Sequence, residues 1–138
     1  MKLAYFSPLP PLPSSIADYS GDLVPFLARH AELDLFIDDG YEPAGHLRGS
    51  LPIHDYRTFP DLVNRRRYDI CLYQMGNDAR YHEYIYSMLL EHPGVVVLHQ
   101  YVLHDLILGM TVQCGDRDRF IEEMRYCYGE SGVYRAHL

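Results

Sequence analysis

The chain has 138 residues, a length typical of a single domain. Apolar and aromatic residues make up 48% of it, which is enough for one buried core and argues against a disordered chain. The formal net charge of −7 disfavours binding to nucleic acid or to an anionic membrane surface. The one basic cluster, at residues 65–67, is interpreted as a solvated helix end.

The cysteines and the apolar runs indicate in which compartment the chain is expected and whether it crosses a membrane. The three cysteines, Cys71, Cys114 and Cys127, are widely spaced and form no metal-binding pattern, so reduced thiols in the cytoplasm are expected. No apolar run approaches the ~20 residues that a membrane-spanning helix needs, so no transmembrane segment is expected. Peripheral attachment at the inner membrane face stays open for a lipid-linked ligand.

Short apolar runs predict five β-strands. The first, Lys2–Phe6, is apolar on both faces, as strands of a parallel sheet are, and a proline-rich loop at residues 7–15 follows it. The remaining strands are expected at residues 33–37, 51–54, 70–75 and 95–98. Of these, the β-branched run at 95–98 carries the clearest strand pattern.

Apolar residues at helical spacing predict five helices. They are expected at residues 16–30, 59–67, about 81–89, within 99–110 after a short turn, and about 120–128, the last with Asp116 as its cap. Pro25 lies inside the first helix, so either that helix kinks or its regular part begins near Asp22. Residues 1–129 are expected to form the domain, and residues 130–138 a connector with no closing element.

This alternation of strands and helices predicts an α/β fold, a three-layer Rossmann-like, doubly wound parallel sheet with helices on both faces. In such open sheets, ligands bind beyond the carboxyl ends of the strands, where the winding direction reverses. The loops after the first, fourth and fifth predicted strands leave those ends. The sequence therefore predicts a polar site at this edge of the sheet.

His99 is the candidate catalytic residue, because it directly follows the buried run at residues 95–98. An imidazole at this edge can hydrogen-bond a sugar hydroxyl or exchange a proton near neutral pH. The alternative is a histidine that satisfies only local backbone groups. Gln74 and Asn77 flank a glycine in the loop after the fourth strand, and amides suit polyol recognition, although Asn77 equally fits a turn.

Further candidate substrate-binding residues lie at the first helix and after His99. Ser14 and Ser15 precede the helix, where hydroxyls and free N–H groups can bind an anion or a sugar oxygen, or can simply cap the helix. Asp18 and Tyr19 lie in its first turn, and Gln100 follows His99 in the third loop. The carboxylate of Asp18 either holds a hydroxyl or complements the helix dipole.

Several other chemistries lack their sequence motifs. The chain has no Gly-x-Ser-x-Gly nucleophile elbow, no phosphate-binding P-loop and no Gly-x-Gly-x-x-Gly after the first strand. Among eight histidines, none forms His-Glu-x-x-His, and His99 and His104 are spaced for different faces of a helix. Neither a metal nor a cofactor is therefore expected.

Taken together, several segments resemble bacterial glycosyltransferases of family 4. They are residues 3–11 (LAYFSPLPP), 15–20 (SIADYS), 68–70 (YDI) with 74–77 (QMGN), and 93–99 (PGVVVLH). The resemblance implies the N-terminal domain of a two-domain, retaining, metal-independent enzyme of the GT-B fold. This domain would bind a carbohydrate or lipid-linked acceptor, and a C-terminal domain beyond residue 138 would bind most of the sugar nucleotide. By the same resemblance, the loop at 10–15 approaches the donor phosphates and acceptor, and His99 contacts the donor sugar.

The chain departs from the family pattern in two ways. Many members carry a Gly-Gly pair in the first loop where this chain has Ser14-Ser15, which makes close backbone approach to a phosphate harder. The donor domain is also absent from these 138 residues, so the fragment alone is expected to be inactive. Two alternatives stay open, namely a flavodoxin-like module that binds a small anion or nucleotide, and a non-catalytic interaction domain. Self-association of the fragment is compatible with each reading.

Overall fold

The computed structural model describes residues 1–38 and 40–137. Five parallel strands form one sheet in the order β3-β2-β1-β4-β5. The strands are β1 (Lys2–Phe6), β2 (Glu32–Ile37), β3 (Ile53–Asp55), β4 (Ile70–Met75) and β5 (Val95–Leu98). The winding direction reverses between β1 and β4, which is where an open α/β sheet binds its ligands.

Six α-helices accompany the sheet in the described part of the chain. They are α1 (Ser15–Leu27), α2 (Phe59–Arg65), α3 (Ala79–Glu91), α4 (His104–Met110), α5 (Arg117–Tyr128) and α6 (Glu130–Ala136). Short 3-10 turns at Tyr56–Thr58 and Val112–Cys114 precede α2 and follow α4. No helix among the described residues is long and apolar enough to cross a membrane.

Two apolar clusters cover the two faces of the sheet, because successive strand residues point to opposite sides. On one face, Tyr5 and Leu35 pack with Val24 of α1. On the other, Phe6 stacks on Phe36 and Tyr73, with ring centroids 4.9 and 4.7 Å apart, and this cluster includes residues of α2, α3 and α4. The predicted three-layer α/β class is thus confirmed.

The strand β5 forms one edge of the sheet, and its side chains are less buried than those of β1 and β2. Val95, Val96 and Leu98 are all exposed, so the expectation that the run at 95–98 is buried is wrong; as the edge strand, β5 has a neighbour on one side only. The backbone of β5 nevertheless lies close to β4, since a Cβ built on Gly94 would stand 2.3 Å from the carbonyl oxygen of Cys71. Cys71 itself is half-buried rather than fully enclosed.

Several predicted element bounds need correction. Helix α1 begins at Ser15 and continues past Pro25, so the suggestion that its regular part starts near Asp22 is wrong. The strand predicted at 51–54 lies instead at Ile53–Asp55. Its pairing with β2 begins after Pro52, because proline has no N–H to donate to a neighbouring strand. The helix predicted after a short turn within 99–110 begins at His104 and ends at Met110; before it, the His99 N–H still bonds to the Met75 carbonyl 2.9 Å away.

The end of the described chain also differs from the expectation. Residues 130–136 form helix α6 rather than a connector with no closing element. This helix packs closely on α5, since a Cβ built on Gly132 would stand 2.2 Å from the Met124 carbonyl oxygen. Only hydrogen fits at that crossing, so a glycine there allows the two short helices to touch.

The basic run at 65–67 is not simply a solvated helix end, because Arg66 bonds to a buried carboxylate. Asp34 of β2 is only 1% exposed and accepts bonds from Arg66 Nη1 at 2.9 Å and from the Tyr68 hydroxyl at 2.5 Å. Burial alone would raise the pKa of Asp34, but these two donors and the nearby Lys2 ammonium hold it below its usual value. His54 Nε2 lies 3.7 Å from the same carboxylate.

Candidate functional site

A cavity of about 510 Å³ opens at the carboxyl edge of the sheet, where α1 begins and β4 and β5 end. We call it the near cavity. Its volume falls in the range typical of small-molecule sites. Among the residues predicted from the sequence, its walls include Ser14, Ser15, Tyr19, Asn77, His99 and Gln100. The structure thus brings six of the eight candidate residues around one opening.

The remaining two candidates, Gln74 and Asp18, do not line the near cavity. Gln74 is fully buried on β4 beneath the cavity wall and reaches it only through His99. Asp18 is exposed in the first turn of α1. A carboxylate there complements the positive end of the helix dipole.

The first turn of α1 presents free backbone donors at the cavity wall. Its N-cap residue, Ser14, has extended backbone angles but makes no side-chain capping bond. The first N–H groups of a helix have no partner within the helix, so capping side chains, water or ligands normally satisfy them. With Ser14 and Ser15 both lining the cavity, hydroxyl groups and N–H donors lie together at this opening.

The imidazole of His99 is oriented by a buried amide. Its Nε2 lies 2.7 Å from Oε1 of Gln74, and an amide oxygen only accepts, so Nε2 carries the proton. In the neutral ring, Nδ1 is then the acceptor. Burial lowers the pKa of His99 below its ordinary 6.5, which favours the neutral ring at pH 7. The Tyr19 ring packs edge-on against this imidazole, with centroids 4.9 Å apart.

A second histidine, His82, forms part of the same wall and was not singled out from the sequence. It is 1% exposed, and its Nδ1 donates to the Asp78 carbonyl at 3.0 Å, so Nε2 carries the lone pair of the neutral ring. That Nε2 is buried without a hydrogen-bond partner among the described residues. Burial is the main cause that lowers the pKa of His82, and the nearby His99 lowers it further.

A buried polar network joins the first strand to α1 behind the cavity. The Tyr5 hydroxyl lies 2.9 Å from Oγ of Ser20, which lies 2.6 Å from Oγ of Ser7. Ser7 in turn donates to the Pro8 carbonyl at 2.8 Å. These hydroxyls connect the first strand, its loop and α1, so they fix the position of the helix that borders the cavity.

Asn77 and Gln100 shape the near cavity through structural bonds. The Asn77 side chain accepts from Leu106 N at 3.1 Å and donates to Asp105 at 2.9 Å, which holds the start of α4. Its backbone N–H donates to Oε1 of Gln100 at 2.8 Å. The amide oxygens of both side chains therefore each accept a hydrogen bond already, whereas the amide nitrogen of Gln100 and the second N–H of the Asn77 amide can donate to a ligand.

Tyr81 and His82 are wall residues that the sequence did not single out individually. Both belong to the first turns of α3, which follows the β4 loop. A usable signal was present for His82, since it precedes Ile85 and Leu89 at helical spacing and so falls on the buried stripe. No signal of this kind distinguishes Tyr81 from other tyrosines of the helix.

The described residues include no group of three or more histidine, cysteine or carboxylate side chains placed to hold a metal ion. No protein-family model, no curated protein and no solved structure matches this chain. The fold and the geometry of the near cavity therefore carry the functional argument.

Proposed function

We propose that this chain forms the acceptor-binding half of a retaining sugar-transfer site, with the sugar nucleotide bound mostly by a second domain. The observation that carries the proposal is the near cavity itself. Hydroxyls, helix N–H donors, an amide and a neutral imidazole converge there at the point where the sheet reverses its winding direction. Such a mixture of small donors and acceptors suits the hydroxyl groups of a sugar better than a single strong charge.

His99 is the residue that we expect to touch the reacting sugars. Its ring is held by Gln74 and by Tyr19, so its direction is fixed before a ligand arrives. A neutral imidazole offers an acceptor to a hydroxyl without the desolvation cost of a buried charge. The sequence resemblance to family 4 glycosyltransferases supports the same assignment.

Ligand titration of the purified chain tests this proposal. We expect methyl glycosides of glucose, mannose, galactose and N-acetylglucosamine to shift the backbone amide signals of His99 and Gln100 in NMR spectra, for at least one sugar. His99→Ala should weaken that binding about tenfold, which corresponds to one lost hydrogen bond of about 1.4 kcal/mol. The matched control is His30→Ala, since His30 is exposed and lies outside the near cavity.

A second candidate function is binding of a small anion or nucleotide, favoured by the uncapped first turn of α1. Inorganic phosphate and uridine diphosphate, titrated in the same way, separate the two readings. Tight binding of either at the amides of Ser15 and Ile16, with no response to any glycoside, would replace the sugar-transfer proposal. Response to glycosides with millimolar or weaker phosphate binding supports it.

A further inference from the structure

Two further cavities lie beside the near cavity along the carboxyl edge of the sheet. A small cavity of about 80 Å³, here called the bridging cavity, shares the wall residue Tyr81 with the near cavity. On its other side lies a far cavity of about 510 Å³, which shares Asp38 and Tyr41 with the bridging cavity. We call these three neighbouring cavities together the groove.

The groove is too long for a single sugar. It runs from the end of β4, past β1 and β2, to the end of β3. Three inter-strand spacings of ~4.8 Å give a length of about 14 Å. A monosaccharide that fills the near cavity would leave the bridging and far cavities empty, whereas a linear chain of sugars would occupy all three.

Aromatic rings stand at both junctions of the groove. Tyr81 separates the near cavity from the bridging cavity, and Tyr41 separates the bridging cavity from the far one. A tyrosine offers an apolar ring face together with a polar hydroxyl, which matches the apolar faces and polar rim of a pyranose. A chain of sugars that runs along the groove would pass both tyrosines.

The charges along the groove are already paired within the protein. Arg48 bonds to Glu42, Arg80 bonds to Asp78 at 2.6 Å, and Arg57 bonds to Asp38 at 3.2 Å. Because these arginines already have carboxylate partners, an anionic sugar would have to displace a carboxylate and would add negative charge beside it. The groove therefore favours a neutral ligand.

The far end of the groove is connected to the loop that borders its near end. The Leu9 N–H donates to the Tyr41 hydroxyl at 3.0 Å, and the Ala44 N–H donates to the Pro10 carbonyl at 2.7 Å. Burial raises the pKa of Tyr41 to about 12, so its hydroxyl stays protonated at physiological pH. The two loops thus hold the groove open without a ligand, which lowers the entropic cost of binding.

We propose that the acceptor of this domain is a neutral linear oligosaccharide, whose chain runs from His99 past Tyr81 and Tyr41 into the far cavity. This inference rests on the proposed function and adds the substrate class to it. A peptide could also lie in a groove of this length, but the internally paired arginines and the narrow bridging cavity favour an uncharged chain of rings.

The test uses the complete 138-residue chain and neutral tetrasaccharides of α-1,4-glucose, β-1,4-glucose, α-mannose and N-acetylglucosamine, each compared with its methyl monosaccharide. For at least one series we expect the tetrasaccharide to bind tenfold or more tightly. Its NMR map should include the far-cavity amides of Gly49 and Ile53 besides those of His99 and Gln100. The monosaccharide should move only the last two.

Variants separate the groove from its near end. Tyr81→Ala should reduce the advantage of the tetrasaccharide to less than threefold, while Tyr126→Ala, a control at a 90% exposed tyrosine on α5, should preserve it. The amide map of the unmodified chain gives the answer even if Tyr81→Ala does not fold. Tetragalacturonic acid, as the charged comparator, should bind more weakly than the neutral tetrasaccharides.

Each negative result has a distinct meaning. Monosaccharide and tetrasaccharide of equal affinity, with shifts confined to His99 and Gln100, would overturn the extended groove and leave the sugar-transfer proposal standing. Absence of any response to every saccharide would overturn both. An unstructured neutral peptide that shifts the Gly49 and Ile53 amides, where tetrasaccharides do not, would assign the groove to a peptide and overturn this inference.

Discussion

The hydrogen bond between His99 and Gln74 can be tested by changing its acceptor into a carboxylate. In Gln74→Glu the shape of the side chain is nearly preserved, but a negative charge would face His99 Nε2 across a contact that is now 2.7 Å long. Burial holds the pKa of His99 below 6.5 in the unmodified chain. An adjacent carboxylate favours the charged imidazolium, so we expect the pKa of His99 to rise in the variant.

The size of this shift follows from the contact. Two unit charges ~4 Å apart attract by about 4 kcal/mol at an effective dielectric constant of about 20. Part of this attraction is lost because the new carboxylate is itself buried and holds its proton more tightly, so the two groups titrate as a pair. Opposite charges at such distances usually shift a pKa by about 1–3 units, at about 1.4 kcal/mol per unit.

The assay is an NMR titration of the His99 imidazole between pH 4 and 9, with Gln113→Glu as the control for an added carboxylate at a more exposed position. The variant should also change the pH dependence of stability. A folded pKa above the unfolded value contributes stability that is present below pH 6.5 and is lost as the pH rises through the folded pKa. An unchanged His99 pKa in a folded Gln74→Glu protein would refute the contact and with it the orientation of the ring.

Three further predictions follow from other buried contacts. In urea denaturation, Gly76→Ala should destabilise the fold by about 1–3 kcal/mol, and it should also weaken ligand binding, because the new Cβ would stand 2.5 Å from the Ile16 side chain and 2.8 Å from the His82 ring. The control is Gly45→Ala, whose Cβ would have no atom within 4 Å and whose stability should be close to that of the unmodified chain. Asp34→Asn should lower the free energy of unfolding by about 2–4 kcal/mol in the same assay, which is less than for a fully buried ion pair because Arg66 is 42% exposed. The control is Glu32→Gln at an exposed ion pair, which should cost under about 1 kcal/mol. Equal effects of the two substitutions would contradict the buried network around Asp34. Acid should destabilise the fold below pH 6.5, because burial lowers the pKa values of His54, His82 and His99 and the unfolded chain therefore binds more protons in that range. The free energy of unfolding should fall by up to about 1.4 kcal/mol per pH unit for each extra proton. A free energy of unfolding that does not change between pH 7.5 and 5 would contradict the burial of these three histidines.

The sheet could be predicted because its strands are apolar on both faces and end at residues that cannot continue them. The predicted bounds of β1, β4 and β5 agree with the structure. Pro8 follows the end of β1, and Gly76 follows β4, where its missing side chain leaves room for Ile16 and His82. These signals are local in sequence, so one chain is sufficient to read them.

The candidate site was only partly predictable. The topology of the sheet indicates which residues lie near each other at its edge, but not which side chains form hydrogen bonds with each other. Placing His99 at this edge required only the end of the apolar strand β5, although the side chains of that strand are largely exposed. The assignment of Asn77 to the start of α4 depends on a partner 29 residues away, Leu106, which no local pattern indicates. Helix α6 escaped prediction for a similar reason, since its short polar sequence is stabilised by the close contact of Gly132 with α5.

Two unsatisfied features border the near cavity and a third lies beneath its wall, and their cost favours a ligand site over a merely structural opening. The first turn of α1 lacks its side-chain cap, which costs about 1 kcal/mol relative to a capped helix. His82 Nε2 and Gln74 Nε2 are buried without partners among the described residues, and each such atom costs about 1–3 kcal/mol. The native state is stable by only about 5–15 kcal/mol, so unsatisfied groups are retained where they serve binding. A ligand that bonds to the first turn of α1 or to His82 would recover part of this cost when it binds. A hydroxyl-rich ligand in this cavity should therefore raise the free energy of unfolding in proportion to the logarithm of its concentration, once that concentration exceeds Kd.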